Sequence, residues 1–212
     1  KIDGSVELQV QQPVPKGVSL VADKPWEGNT SAYFTVFQDD DKYRMYYRGS
    51  HWLVDEEKAA HREVTCYAES SDGITWTKPE LGLYEFDGSK KNNIVWNGPG
   101  THCFTPFKDT NPNCKPEARY KALTADYRDG KRGLLALQSR DGIHWKLIQD
   151  EHVITEGYFD SQNLAFWDSN RMLYVDYHRT FINGVRSIMT CTSKDFLNWT
   201  KPVLLEYQEG SP

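Results

Sequence analysis

No stretch of this sequence approaches the roughly 18 to 20 consecutive apolar residues that a membrane-crossing helix needs. Its opening "KIDGSVELQV" also lacks the apolar core of a secretory leader. Basic runs are missing too. Lys and Arg number 25 against 30 Asp and Glu, and the formal charge of -5 mixes both signs along the chain. The electrostatic footprint of a nucleic-acid binder is therefore absent. The expectation is a soluble protein with neither membrane nor nucleic acid as partner, its compartment open between the cell interior and export to a bacterial periplasm or exterior.

Cysteine is scarce. Cys66, Cys103, Cys114 and Cys191 form no C-x-x-C pair, no histidine stands at zinc-ligand spacing from them, and no EF-hand-like run offers a calcium loop. No metal and no cofactor are expected. Cys103 and Cys114 either close a loop disulfide, as in an exported protein, or remain free thiols. Long 3.6-period amphipathic segments are lacking as well, which removes helical architectures. The sequence does have an apolar fraction of 38% and an aromatic fraction of 13% over 212 residues, ample for a packed core.

The pattern that stands out is a repeat. "SSDGITWTKP" at 70–79, "SRDGIHWKLI" at 139–148 and "TSKDFLNWTKP" at 192–202 each place an aspartate (Asp72, Asp141, Asp195) shortly before a tryptophan (Trp76, Trp145, Trp199). Asp-Gly is a tight-turn signal: the carboxylate accepts local backbone N–H groups and glycine takes a positive φ. Each copy is preceded by strand-like text, "EVTCYAES", "RGLLALQS" and "VRSIMTCTS", and further upstream by pairs rich in Tyr, Phe, Val and Leu. The spacing of the copies suits four-stranded propeller blades. An all-β chain with consecutive blades near 25–98, 99–155 and 156–207 is expected, forming a single partial domain over 1–212. The repeated aspartates serve the scaffold, and the three tryptophans are expected to be largely buried between sheets.

These motifs, with "YRMYYRG", "FKDTNP", "RYKAL" and "FDSQNLAFWD", resemble the five-bladed β-propeller glycoside hydrolases of families 32, 43, 62 and 68. More narrowly, they resemble an uncharacterised bacterial branch of glycosyl-hydrolase-like proteins. The resemblance runs from about Pro25 to Glu206. It implies an incomplete arc of about three four-stranded antiparallel blades, with self-association or missing C-terminal blades to complete it. It also implies an oligosaccharide or glycoside substrate, and carboxylates gathered where the inner strands enter the propeller axis.

By that resemblance the catalytic candidates are Asp109, Asp160, Glu156 and Glu27. Asp109 is placed at the entrance of the second blade, although by itself "DTNP" reads as an Asx turn. Asp160 precedes the inner strand "NLAFW", with Glu156 as its rival for the general acid. At the entrance of the first blade Glu27 is the one acid between Asp23 and Asp39, so the base is either this glutamate or absent. His102, Asn111, Gln162, Asn163, Trp26, Arg48 and Arg179 are the candidate sugar contacts, with His51, Trp52, Tyr158, Phe159 and His178 in nearby loops or strand ends. Two functional classes stand side by side: a glycosidase using paired carboxylates, and a non-catalytic carbohydrate-binding or scaffolding propeller. A sialidase-like enzyme fits less well, since its arginine triad is not evident.

Overall fold

The computed structural model describes residues 9–128 and 130–206, so the ends of the expected domain, residue 207 included, lie outside the described residues. The chain is all-β. The first sheet begins with the hairpin β1 (Ala32–Asp39) and β2 (Lys42–Gly49). A small excursion, β3 (Trp52–Leu53) and β4 (Lys58–Ala59), precedes β5 (Val64–Ser70) and β6 (Ile94–Trp96). The second sheet holds β7 (Thr105–Lys108), β8 (Tyr120–Arg128), β9 (Lys131–Ser139) and β10 (Trp145–Leu147). The third holds β11 (Leu164–Asp168), β12 (Leu173–Ile182), β13 (Val185–Ser193) and β14 (Val203–Leu204). Each of the three four-stranded sheets is an antiparallel meander, with β1, β7 and β11 as the innermost strands.

Strand alternation explains how the sheets stack. In "YRMYYRG", Tyr46 points towards the second sheet and joins Tyr67, Val95, Phe104, Tyr120, Leu135, Leu137 and Trp145 in one buried layer. Its neighbours Met45 and Tyr47 point the other way, into a layer with Cys66, Ala68 and Ile94 that Leu20 and Trp26 cover. Between the second and third sheets lie Leu123, Leu134, Ala136, Ala165, Tyr174 and Phe196. The outward faces of the first and last inner strands keep apolar groups in solvent: Phe34 and Val36 on β1, Leu164 and Phe166 on β11. This is the arc of about three blades that the repeats predict.

All three Asp turns are built alike. Oδ1 of Asp72 accepts from Ile74 N, Thr75 N and the Ser70 hydroxyl. Asp141 repeats this with Ile143, His144 and Ser139, and Asp195 with Leu197, Asn198 and Ser193. Gly73 and Gly142 take φ of 73° and 77°. At Gly142 a side chain would also collide, since a Cβ would lie 2.8 Å from the Tyr46 hydroxyl. In the third turn Phe196 occupies the glycine's place at φ 70°, and its ring is fully buried between the second and third sheets.

The N–H groups of Thr75 and Ile74 hold the Asp72 carboxyl down to about 2. Asp195 is likewise lowered to about 2, burial opposing the shift and the Asn198 and Leu197 N–H groups outweighing it; Asp141 is lowered further by its own turn. A folded pKa below the unfolded value of about 3.9 means stability that is fully present above that value and lost as pH falls through the folded one. The urea midpoint should therefore hold above about pH 5 and decline steadily between about pH 4 and 2, more shallowly in Asp72→Asn. A midpoint flat through that window would remove the turns from the stability account.

The tryptophans depart from expectation. Trp145 alone is buried, at 7% exposure, while Trp76 and Trp199 are half-buried. Trp145 is sealed between two sheets, edge-on to Phe104 (4.9 Å) and Tyr46 (6.1 Å). Trp76 lies on the outward layer of the first sheet, and Trp199 packs against Phe196 at the end of the third.

Candidate functional site

The innermost strand of the second sheet is Thr105–Lys108, one strand earlier than "RYKALTA", which is β8. A four-residue strand containing Pro106 carries little strand signal, and proline is tolerated there because an innermost strand has a free edge. This corrects the placement of Asp109. It follows β7 and so lies at the exit end of the inner strands, whereas Asp160 precedes β11 and lies at the entrance end.

At the exit end Asp109 is buried and ion-paired with Lys121. It also accepts from the Tyr174 hydroxyl (2.7 Å) and from Asn111 N (2.9 Å). Asn111 closes the Asx turn and donates its side chain to Tyr174. These residues pin the second sheet to the third. Cys114 touches Lys121 here, while Cys103 is buried before β7 at the other end, and all four cysteines are free thiols.

Glu27 and Trp26 belong to the outward side of the first sheet. Glu27 is fully buried, receiving the Tyr47 hydroxyl, Lys78 Nζ (2.7 Å) and Lys24 N (2.9 Å). Trp26 donates to Asn93 (2.6 Å) and packs edge-on to Phe86. The side chain of Glu156 is exposed and lines a separate hollow with Trp199 and Lys201. Asn163 is fully buried and ties the backbone of Phe159 and Ser161. None of these joins Asp160.

The entrance end gathers the remaining candidates with two residues that sequence reasoning passed over. Gln162 donates to Thr35 (2.9 Å) and Tyr33 donates to the Asp160 carbonyl (2.9 Å), so β1 and the β11 entrance meet across the axis. Tyr33 sits at φ 57°, a strained backbone for a non-glycine residue, beside an irregularity in the β1–β2 register. Its ring packs against His102 (5.3 Å) and under the Arg48 guanidinium (4.9 Å). Glu63, at the foot of β5, reaches His102 Nδ1 at 3.0 Å and Arg48 at 3.5 Å.

A carboxylate only accepts, so Nδ1 carries a proton toward Glu63, while Arg48 Nη1 lies against the edge of the ring, 3.1 Å from Nδ1 and 3.4 Å from Nε2. Burial would raise the Glu63 carboxyl, but His102 and Arg48 outweigh it and hold it below the usual range. Asp160 is ion-paired with Arg179, whose backbone carbonyl receives Tyr158 N. A cleft of about 270 Å³ opens on this cluster, lined by Glu63, His102, Asp160, Arg62, Asp126 and Arg132. It combines three carboxylates, an imidazole and guanidinium groups, the chemistry that hydrogen-bonds hydroxyl-rich ligands and exchanges protons with them.

No protein-family model matches the chain. Among solved structures it is similar to an N-acetylgalactosamine deacetylase from F. plautii, with a TM-score of 0.60 at 15% identity over 93% of this chain and 60% of that one. It is also similar to a family 117 glycoside hydrolase from Zobellia galactanivorans, with a TM-score of 0.58 at 15% identity, 89% of this chain and 51% of that one. A fructofuranosidase from Schwanniomyces occidentalis gives 0.52 at 14% identity, 90% and 38%. In sequence, the chain is 24% identical to Carboxypeptidase SOL1 of Arabidopsis thaliana over 193 residues, 89% of this chain and 37% of that protein. The chain thus spans only part of each relative. The fold is that of the propeller-type glycoside hydrolases.

Proposed function

We propose that the protein hydrolyses glycosidic bonds in the entrance-end cleft. The observation that carries this reading is that Asp160, Glu63 and His102 line one cleft where the inner strands begin. Asp160, paired with Arg179, is the anionic group beside the sugar carbon. Glu63 holds the His102 Nδ1–H and stabilises an imidazolium, so that Nε2 delivers a proton to the leaving oxygen and later recovers it from water. Arg48, Tyr33 and Gln162 position the ring through hydroxyl contacts and an aromatic face. The neighbouring folds support a carbohydrate as substrate more than any one reaction, since a deacetylase, hydrolases and a mannobiose phosphorylase share it. The carboxypeptidase activity in the name of the curated relative is not adopted, because the likeness reaches 37% of that protein.

The test is release of 4-nitrophenol from a panel of 4-nitrophenyl glycosides. For whichever glycoside is cleaved, Asp160→Asn and Glu63→Gln should each lower kcat/KM by about 10²–10⁴-fold, the range of one acid–base contribution, with cooperative urea unfolding retained. Full activity in both variants would overturn the assignment. A second reading is favoured by one observation: both carboxylates are already ion-paired with arginines, as hydroxyl acceptors in a binding site would be. Oligosaccharide binding without cleavage would select it.

A further inference from the structure

We infer that Asp176, His178 and Cys191 form a buried site for a single transition-metal ion of the Zn²⁺ class. The site stands independently of the glycan reading. It lies on the face of the third sheet that packs against the second, where Cys191 belongs to the apolar layer with Leu123 and Ala165. Asp176 and His178 are successive same-face positions of β12, and Cys191 stands directly opposite Asp176 in the β12–β13 ladder. All three are buried, and their donor atoms lie within 4.8 Å of one another.

The hydrogen bonding calls for a positive charge at the centre. His178 Nε2 is 2.9 Å from the Glu156 carbonyl, which only accepts, so Nε2 carries the ring proton. The Nδ1 lone pair then faces Asp176 Oδ2, and two lone pairs do not meet bare. Either a proton is shared between them, or both lone pairs turn onto a common cation beside them. A proton would leave Asp176 Oδ1 buried with no partner and give the Cys191 thiol only a long hydrogen bond, 3.7 Å, to Oδ2. A divalent ion uses both, with a bidentate carboxylate, an imidazole nitrogen and a thiolate as four donor atoms.

One carboxylate and one thiolate neutralise a divalent charge, which suits a region shut from water. The mixed N, O and S donors select Zn²⁺ over Ca²⁺ or Mg²⁺. An outer ring nitrogen donating to a backbone carbonyl is the usual support of a metal-bound histidine. The supporting segment presses hard on the ring: at Gly157, φ 148°, a Cβ would lie 2.5 Å from His178 Cδ2.

The experiment loads the purified protein with Zn²⁺, dialyses it against metal-free buffer and counts zinc per chain by mass spectrometry. A Co²⁺-loaded sample is examined for thiolate-to-metal charge-transfer absorption. One retained ion per chain and a charge-transfer band are expected. Cys191→Ala should abolish the band and weaken binding by more than the roughly 10–100-fold that loss of an outer partner costs, while Cys66→Ala, another buried thiol, keeps both. Should Cys191→Ala not fold, zinc content and the cobalt band of the unaltered protein decide. No retained ion, or a band that survives Cys191→Ala, overturns the proposal in favour of a shared proton.

Discussion

Replacing Lys121 with Met is expected to destabilise the protein by about 3–5 kcal/mol, the cost of stranding one member of a buried ion pair. The Lys121 side chain is 7% exposed and that of Asp109 is wholly enclosed. Without the ammonium, the Asp109 carboxylate keeps only neutral partners, the Tyr174 hydroxyl and Asn111 N, between two sheets that exclude water. Lys121 also donates to the Ala118 carbonyl at 3.1 Å, so a second acceptor keeps only the weak Cys114 thiol donor. Adding Asp109→Asn to Lys121→Met should recover part of the loss, because the double variant buries no charge. Urea denaturation of the three variants measures this. A Lys121→Met variant within 1 kcal/mol of the parent would mean that the pair is solvated and that Asp109 is free for other work.

Truncating Trp145 to Ala should cost about 3–5 kcal/mol, as deletion of a buried large aromatic does. The indole fills the layer between the first two sheets against Phe104 and Tyr46. Its Nε1–H and the Tyr46 hydroxyl converge on the Gly142 carbonyl, at 2.9 and 2.8 Å. Alanine therefore opens a cavity and loses the bond that braces the second Asp turn from within, leaving the Tyr46 hydroxyl to dock that turn on the first sheet. Trp76→Ala and Trp199→Ala should lose distinctly less, since each ring is only partly buried. Equal losses at all three positions would show that the repeats are energetically equivalent and that burial is not what distinguishes them.

The contrast between those tryptophans also shows what the sequence can reveal. The Asp turns were readable because their interactions span two or three residues, so the motif contains its own partners. The sheets followed from dense Tyr, Val and Leu alternation in β2, β5, β8 and β9. What stayed hidden depends on distant partners. The inner strand Thr105–Lys108 is short and holds a proline, so its neighbour β8 drew the assignment and moved Asp109 to the wrong end of the axis. Glu63 opens "EVTCYAES", which reads only as strand, and only the fold brings it to His102. Tyr33 looks like any strand tyrosine until its φ of 57° is seen. Asp176 and Cys191 are neighbours through strand register, which no ligand-spacing rule detects. Arg48, His102, Asp160, Gln162 and Arg179 do meet at the entrance end, whereas Glu27, Trp26, Glu156 and Asn163 go to packing, to turns or to another surface.

On the proposed reading the entrance end of the inner strands, and not the end that holds Asp109, receives the sugar. A crystal structure of the Glu63→Gln variant soaked with a 4-nitrophenyl glycoside tests it most directly. The account predicts a sugar ring in the cleft beside Asp160, His102 and Tyr33, with the ion pair of Lys121 and Asp109 undisturbed. A ring seated at Asp109, or against the exposed Leu164 and Phe166 face, would contradict it.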